Sequence, residues 1–376
     1  MPALHSSSPK RLLIRGVNWL GDAVMTTPAL IRLREALPES TIIMATPRKL
    51  ADLWQHHPAV DEIIPLETEQ GLLSVARLFR AARPDHALIF PNSPRSALET
   101  WLALIPRRTG LAHSGRGFLL TQALPPRADR IPMRKRSVSE IRQLIIPASS
   151  PAIPSPPWPV HAHQMHEYLY LASALGAKTD PVPPRLDVSD AEQTAVLKKF
   201  GLDRLSKPVL GLNPGAEYGP AKRWPLEKFL AAARQIQRKT GCSWILLGGS
   251  NDLALTGPME AAFATQPGPA LNLAGKTSLR ELMCLLAQCR VLLTNDTGPM
   301  HVAAALGTPV VVRFGSTSPA LTGPGMPGEA RHHLLSIHAP CSPCFQRQCP
   351  IDFRCLQNLP ESMVVSAVLE VLSRPS

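Results

Sequence analysis

Long apolar runs are missing from this chain. Nowhere in its 376 residues do 18 apolar residues stand together, and Arg15, Asp22, Arg32 and Arg34 interrupt the most apolar N-terminal part. A membrane-spanning helix and a secretory leader are therefore not expected. Acidic residues are scarce: 28 Asp and Glu face 40 Lys and Arg, leaving a formal charge of +12. Several chemical signatures are also absent. There is no Gly-x-Gly-x-x-Gly after a strand, no Walker lysine loop, no Gly-x-Ser-x-Gly elbow and no His-Glu-x-x-His. Dehydrogenase, P-loop ATPase, serine hydrolase and zincin chemistries all lose their main support. Without an Asp-x-Asp pair, a sheet-edge site that chelates Mg²⁺ through two carboxylates is not favoured either.

What is there is an apolar, proline-rich chain. Hydrophobic residues make up 44%, enough to exclude disorder driven by low hydrophobicity. The length suits two domains with ample cores. Short apolar strands alternate with amphipathic helices: strands at 12–14, 41–44, 63–65 and 87–90, helices at 23–37 and 72–82. After a helix at 163–175 and the prolines at 181, 183 and 184, the alternation resumes. Strands are expected at 209–212, 244–247, 291–294 and 310–314, and helices at 226–239, 279–289, 300–306 and 361–372. Such alternation implies right-handed crossovers and mostly parallel sheets, so the fold class is α/β with two Rossmann-like domains facing a central cleft. The boundary is placed at 180/181, dividing the chain into 1–180 and 181–376. Six prolines between Pro147 and Pro159 make that stretch a loop.

Three polar, Gly-containing segments follow predicted strands, where open α/β sheets bind ligands. The first runs from Gly16 to Asp22. Asp22 is either a helix N-cap or a general base favoured by the positive end of the helix. The second, Asn213 to Pro225, brings Lys222 and Arg223 to the start of a helix and suits a diphosphate, or else is a solvated surface loop. The third, Thr294 to His301, has Asp296 or Thr297 as a cap, Pro299 in the first turn, and the amides of Thr297 and Gly298 as an anion nest. His301, one turn in, faces the same ligand or is a structural histidine. A weaker turn at Gly248 to Asp252 could reach a ribose or base.

Two further features stand apart. Cys341, Cys344, Cys349 and Cys355 are spaced like a compact four-thiolate site, with a structural zinc, free thiols and disulfides as the alternatives. Between Arg107 and Arg142 there are nine Lys or Arg against Asp129 and Glu140. That stretch is either a contact surface for anionic partners or a solvated basic loop. A nucleic-acid-binding protein is the reading from another class, but few aromatics interleave the basic residues and no groove-reading module is visible.

Gly21-Asp22 after the first strand, Gly-Ala-Glu-Tyr-Gly-Pro-Ala-Lys-Arg-Trp-Pro at 215–225 and Asn-Asp-Thr-Gly-Pro-Met-His at 295–301 together resemble the ADP-heptose lipopolysaccharide heptosyltransferases. The resemblance covers nearly the whole chain, and the second block is most similar to members that add the second heptose of the inner core. It implies a GT-B fold with the acceptor on the N-terminal domain, the nucleotide sugar on the C-terminal one, and no metal in catalysis. It also implies Asp22 as the catalytic residue, Lys222 on phosphate, and Asp296, Thr297, Gly298 and His301 around the donor diphosphate. The implied partners are ADP-heptose, a lipid A core acceptor and the anionic inner leaflet, with no nucleic acid. The implied location is the cytoplasmic face of the inner membrane. Members acting on other core acceptors are the alternative.

Overall fold

The computed structural model describes residues 8–145, 158–202, 205, 208–264 and 268–374. Most of the proline-rich stretch at 147–159, and the tail before residue 8, lie outside the described residues. The chain divides into two compact units, Met1–Arg130 with Gln164–Asp187, and Ile131–His163 with Val188–Ser376.

In the first unit the strands are β1 (Arg11–Arg15), β2 (Thr41–Pro47), β3 (Glu62–Leu66), β4 (His86–Ile89), β5 (Arg107–Leu111) and β6 (Gln122–Leu124). They form one parallel sheet, in the order β3-β2-β1-β4-β5-β6. The helices are α1 (Leu20–Met25), α2 (Thr27–Ala36), α3 (Leu72–Ala81) and α4 (Pro94–Leu102), with α6 (Met165–Ser173) returning later. The expected single helix over 23–37 is two, because Thr26 intervenes and Pro28 starts a new first turn. Leu13, Ile43, Val75, Phe79 and Ala87 pack one face of this sheet.

The second unit opens with α5 (Val138–Ile145). It continues through α7 (Asp190–Phe200), β7 (Val209–Asn213), α8 (Leu226–Thr240), β8 (Ser243–Leu246), α9 (Leu253–Phe263), β9 (Ala270–Asn272) and α10 (Leu279–Gln288). Then come β10 (Leu292–Asn295), α11 (Gly298–Ala305), β11 (Val310–Arg313), α12 (Pro319–Thr322), β12 (His333–Leu335), α13 (Arg354–Gln357) and α14 (Glu361–Ser373). Its sheet is also parallel, in the order β12-β11-β10-β7-β8-β9. Read from β9, that is the same doubly wound order as the first sheet. Strands β7, β10 and β11 are apolar and buried along their length, as parallel strands covered on both faces must be. Trp244, Phe229, Phe263 and the α14 residues Val364 and Val368 share one core.

Residues 131–163 cluster with the second unit, not the first, so the single boundary expected at 180/181 differs from the observed division. The reason is local bonding. The Arg136 amide donates to Cys344 O at 3.0 Å, Gln346 Nε2 donates to Arg136 O at 2.6 Å, and His163 Nε2 bonds Gly323 O at 2.9 Å. Ile141 packs among Ala339, Cys341 and Cys344. The basic stretch expected to form one surface is thereby split, with 107–130 in the first unit and 131–142 in the second. No helix among the described residues is long and apolar enough to cross a membrane.

Candidate active site

In both sheets the order reverses direction at one gap, between β1 and β4 in the first and between β7 and β10 in the second. Loops leaving the strand C-termini diverge there, which is where open α/β sheets receive ligands. All three motif segments sit at these two gaps.

In the first unit β1 runs into Gly16, whose amide donates to Ala45 O at 2.8 Å. An added Cβ at Gly16 would lie 3.0 Å from Met44 Sδ, so the glycine lets the chain pass close to β2. Trp19 is the N-cap of α1 and Asp22 the third helical residue, half-buried in the first turn. Asp22 is therefore not the cap. Its charge is close enough to the buried Tyr168 to add to the burial that raises the phenol well above its ordinary range. Tyr168 accepts from Gln164 Nε2 at 2.9 Å and lies against Phe90 at the end of β4.

Two buried arginines hold the surrounding loops. Arg15 Nε donates to Glu99 at 2.8 Å and its Nη1 to Gly16 O at 2.7 Å; Arg95 takes the other Glu99 oxygen at 3.0 Å. Arg116 donates to Leu111 O at 3.0 Å, to Ser93 O at 3.2 Å, and to Pro91 O, so its guanidinium shapes the turn after β4. Burial pushes the Arg116 guanidinium down to about 10, still protonated at neutral pH.

In the second unit, Lys222 Nζ lies 2.7 Å from Asp296 Oδ2, with both side chains largely buried. Thr317 donates its hydroxyl to the same oxygen. Lys222 also lies 4.9 Å from the Tyr218 ring centroid, and Tyr218 in turn donates to Phe345 O at 2.8 Å. The lysine is thus paired within the protein. Arg223 donates to Ala216 O at 3.2 Å, bracing its own loop. Thr297 occupies the N-cap position of α11 without a side-chain cap bond, so neither Thr297 nor Asp296 acts as the side-chain cap that was expected. Gly298, half-buried, begins the helix at the positive end of its dipole. His301 is buried, and burial above all pushes its pKa down to about 3, against the pull of Asp296 and with Lys222 and His163 adding to the lowering. At neutral pH it is an uncharged imidazole.

Sequence reasoning missed the residues that join these segments. Asn295 Oδ1 accepts from the Trp224 amide at 3.1 Å and from Arg313 Nη2 at 3.2 Å, while its Nδ2 donates to Pro214 O at 2.7 Å. Asp252, expected near a ribose, accepts from the Gly249 amide at 3.0 Å. Its carboxylate stands 2.3 to 2.5 Å from where a Cβ on Gly215 would be, which is why position 215 requires glycine. The one visible signal was Arg313, a lone charge ending the apolar strand Val-Val-Val-Arg.

Cys341, Cys344, Cys349 and Cys355 all line one small cavity, with Ile141, Pro350 and Ile351. Burial pushes the Cys341 and Cys344 thiols up and Cys355 to about 12. Among the described residues no three His, Cys, Asp or Glu side chains are arranged to hold a metal ion. The thiols are gathered at one place, where Cys341 and Cys344 pack with Ile141 and Ala339, and Cys355 lies against them.

Comparison with known proteins agrees with this geometry. Residues 72–353 match glycosyltransferase family 9 (heptosyltransferase). Lipopolysaccharide heptosyltransferase 2 of Salmonella typhimurium is 32% identical over 325 residues, 84% of this chain and 85% of that protein. Lipopolysaccharide heptosyltransferase 1 of Pseudomonas aeruginosa is 25% identical over 358 residues, 90% of this chain and 87% of that protein. The solved structure of E. coli ADP-heptose lps heptosyltransferase II superposes with a TM-score of 0.74 at 28% identity, covering 96% of this chain and 98% of that one. The two Rossmann-like α/β domains are those of the GT-B fold.

Lys222→Ala would leave Asp296 buried with Thr317 alone, and is expected to cost about 3 kcal/mol of stability. Lys222→Ala with Asp296→Ala removes both charges and should recover most of that loss. Urea denaturation of the parent, the two single variants and the pair measures the coupling. Elemental analysis of protein purified without chelators is expected to find well under one zinc per chain; one zinc per chain would show that the thiols close on a metal.

Proposed function

Since the chain belongs to glycosyltransferase family 9 and is a glycosyltransferase, we propose that it transfers L-glycero-D-manno-heptose from ADP-heptose to the inner core of lipopolysaccharide, adding the second heptose. The observation that carries this reading is the pair of switch points. One presents the carboxylate of Asp22, and the other presents Lys222, Asp296 and the amide end of α11. The greater similarity to relatives named heptosyltransferase 2 than to one named heptosyltransferase 1 supports the second heptose over another core position.

In this reading the first unit takes the acceptor and the second the nucleotide sugar. Asp22 accepts the proton of the acceptor hydroxyl as that oxygen bonds to the anomeric carbon from the face opposite ADP. The anomeric C–O bond to the diphosphate breaks, its electron pair leaves with ADP, and the configuration inverts. Lys222 has three N–H donors and engages Asp296 with one of them, which leaves the others for the leaving diphosphate. The amides of Thr297 and Gly298 and the positive end of α11 add to it, so the charge that develops is met by the protein itself. Neutral His301 donates or accepts a hydrogen bond without bringing charge. The enzyme works at the cytoplasmic face of the inner membrane, bound peripherally, where a lipid A core acceptor is exposed.

Asp22→Asn keeps the size of the side chain and removes the base. Its kcat is expected to fall by about 10² to 10⁴ while melting temperature and ADP affinity stay near the parent's. Normal turnover with a lowered melting temperature would assign Asp22 a structural role instead. Transfer is also expected to persist in EDTA, and its loss, restored by Mg²⁺, would remove the metal-free mechanism.

A further inference from the structure

The outer side of α3, α4 and the 3₁₀ turn at Arg116–Leu119 carries apolar side chains left outside the core. Phe118 is 81% exposed, Leu104 70%, Leu73 62% and Trp101 45%. Single exposed apolar residues are ordinary, but four on adjoining elements are not. Their adjacency follows from hydrogen bonds. Arg95, at the start of α4, donates to Gln70 O just before α3 at 2.6 Å, and Arg80, near the end of α3, donates to Leu102 O at 2.8 Å. The two helices therefore run side by side in the same direction. Arg108 donates to Leu119 O at 2.8 Å and also to Ile105 O, which ties the 3₁₀ turn to the end of α4.

Leu104 adds an independent sign. It follows the C-cap Ala103 with φ of 59°, the left-handed conformation in which glycine ordinarily ends a helix. A bulky side chain there strains the backbone, yet the position holds an exposed leucine.

The charge on this face is mostly positive, with the exposed acids Glu67 and Glu69 just before α3. Between Gln70 and Leu119 there are seven arginines and two acids, Asp85 and Glu99. Glu99 is buried against Arg15 and Arg95, and Asp85 is paired with Arg107 at 3.2 Å. Arg77, Arg80 and Arg83 remain exposed beside the apolar set. Farther along the chain, by contrast, Arg134 is paired with Glu140 at 2.6 Å, and Arg136 donates to Pro340 O at 3.2 Å.

We propose that the α3, α4 and 116–119 face docks on an anionic lipid bilayer. Phe118, Leu104, Trp101 and Leu73 enter the headgroup region, and Arg77, Arg80 and Arg83 meet lipid phosphates. Aromatic and leucine side chains flanked by arginine are the composition of surfaces that lie in a bilayer interface. This rests on the reading that the acceptor is a lipid.

The test is co-sedimentation of the full chain with vesicles of phosphatidylcholine alone or mixed with phosphatidylglycerol. The parent is expected to bind the anionic vesicles, and Leu104→Gly with Phe118→Ser to lower the partition coefficient at least about tenfold. Arg77→Gln with Arg83→Gln should weaken binding to the anionic vesicles only. Leu104→Gly alone relaxes the backbone, so its melting temperature should be unchanged or higher while its vesicle binding falls, which separates lost docking from lost folding. Vesicle binding by the Leu104→Gly, Phe118→Ser variant equal to the parent's would overturn the proposal. So would a parent that ignores anionic vesicles, or a parent dimer that the same variant dissolves. Heptose transfer to a soluble, deacylated acceptor fragment should be the same in variant and parent; a parent that binds vesicles but transfers nothing would remove the acceptor reading and leave the docking face standing.

Discussion

Asn295 is a fully buried side chain at the end of β10 on which the loops at the second unit's switch point depend. Its amide group is used at both ends, accepting from Trp224 and Arg313 and donating to Pro214, so it joins the loop after β7 to the turn before α11. Those are the segments that carry Lys222 and Asp296. The 2.7 Å contact between Lys222 and Asp296 is therefore a consequence as much as a cause: the two side chains meet because the backbone beneath them is pinned. A leucine at 295 would leave the Trp224 amide and the Pro214 carbonyl without their partner, and the cost of orphaned buried groups exceeds that of the lost bonds.

Behind Asn295 lies Arg313, fully buried, with Nε and Nη1 lacking a hydrogen-bond partner. Its guanidinium sits 3.8 Å from the Phe229 ring centroid and 4.7 Å from that of Trp224, so ring faces supply part of what a carboxylate otherwise would. Burial drives its pKa well below the usual arginine range, yet a guanidinium remains a cation at neutral pH. The first unit repeats the device. Arg116 is likewise fully buried and donates to backbone carbonyls of the turn after β4. In each unit a buried guanidinium fixes a loop at the switch point and adds positive potential to it.

Much of this was legible because it is local. The strands β1, β2, β7, β10 and β11 are short apolar runs; Asp296 directly follows β10, and Asp22 and Lys222 stand in the Gly-containing segments that follow β1 and β7. Helix α7 was missed although Ser189 and Glu192 form a capping box that sequence alone displays. Helix α9 was hidden by Gly257 and Pro258, since a proline inside a helix reads as a break and only packing of Met259 and Phe263 overrides it. The contacts that join the loops could not be read, although Asn295 stands in the third motif and Arg313 ends an apolar strand. Asn295 reaches partners 71 and 81 positions away, and Arg313 and Thr317 come back from 18 and 21 positions later. The thiols were legible for the opposite reason: close spacing along the chain brings four cysteines to one cavity.

In the proposed reaction two sheets of identical strand order meet two different recognition problems, and charge favours one assignment over the other. A carboxylate repels a diphosphate, so in the proposed reaction the switch point that carries Asp22 suits a hydroxyl better than a nucleotide's phosphates. The second switch point also contains a carboxylate, but Lys222 and Thr317 converge on one of its oxygens and leave the turn with no net negative charge. What remains outward there is the amide end of α11, the spare donors of Lys222 and the field of Arg313. A dication does the same work elsewhere by bridging phosphate oxygens. In the proposed reaction, fixed dipoles and buried cations, held in place before the ligand arrives, take that part without reorganising as the leaving group gains charge.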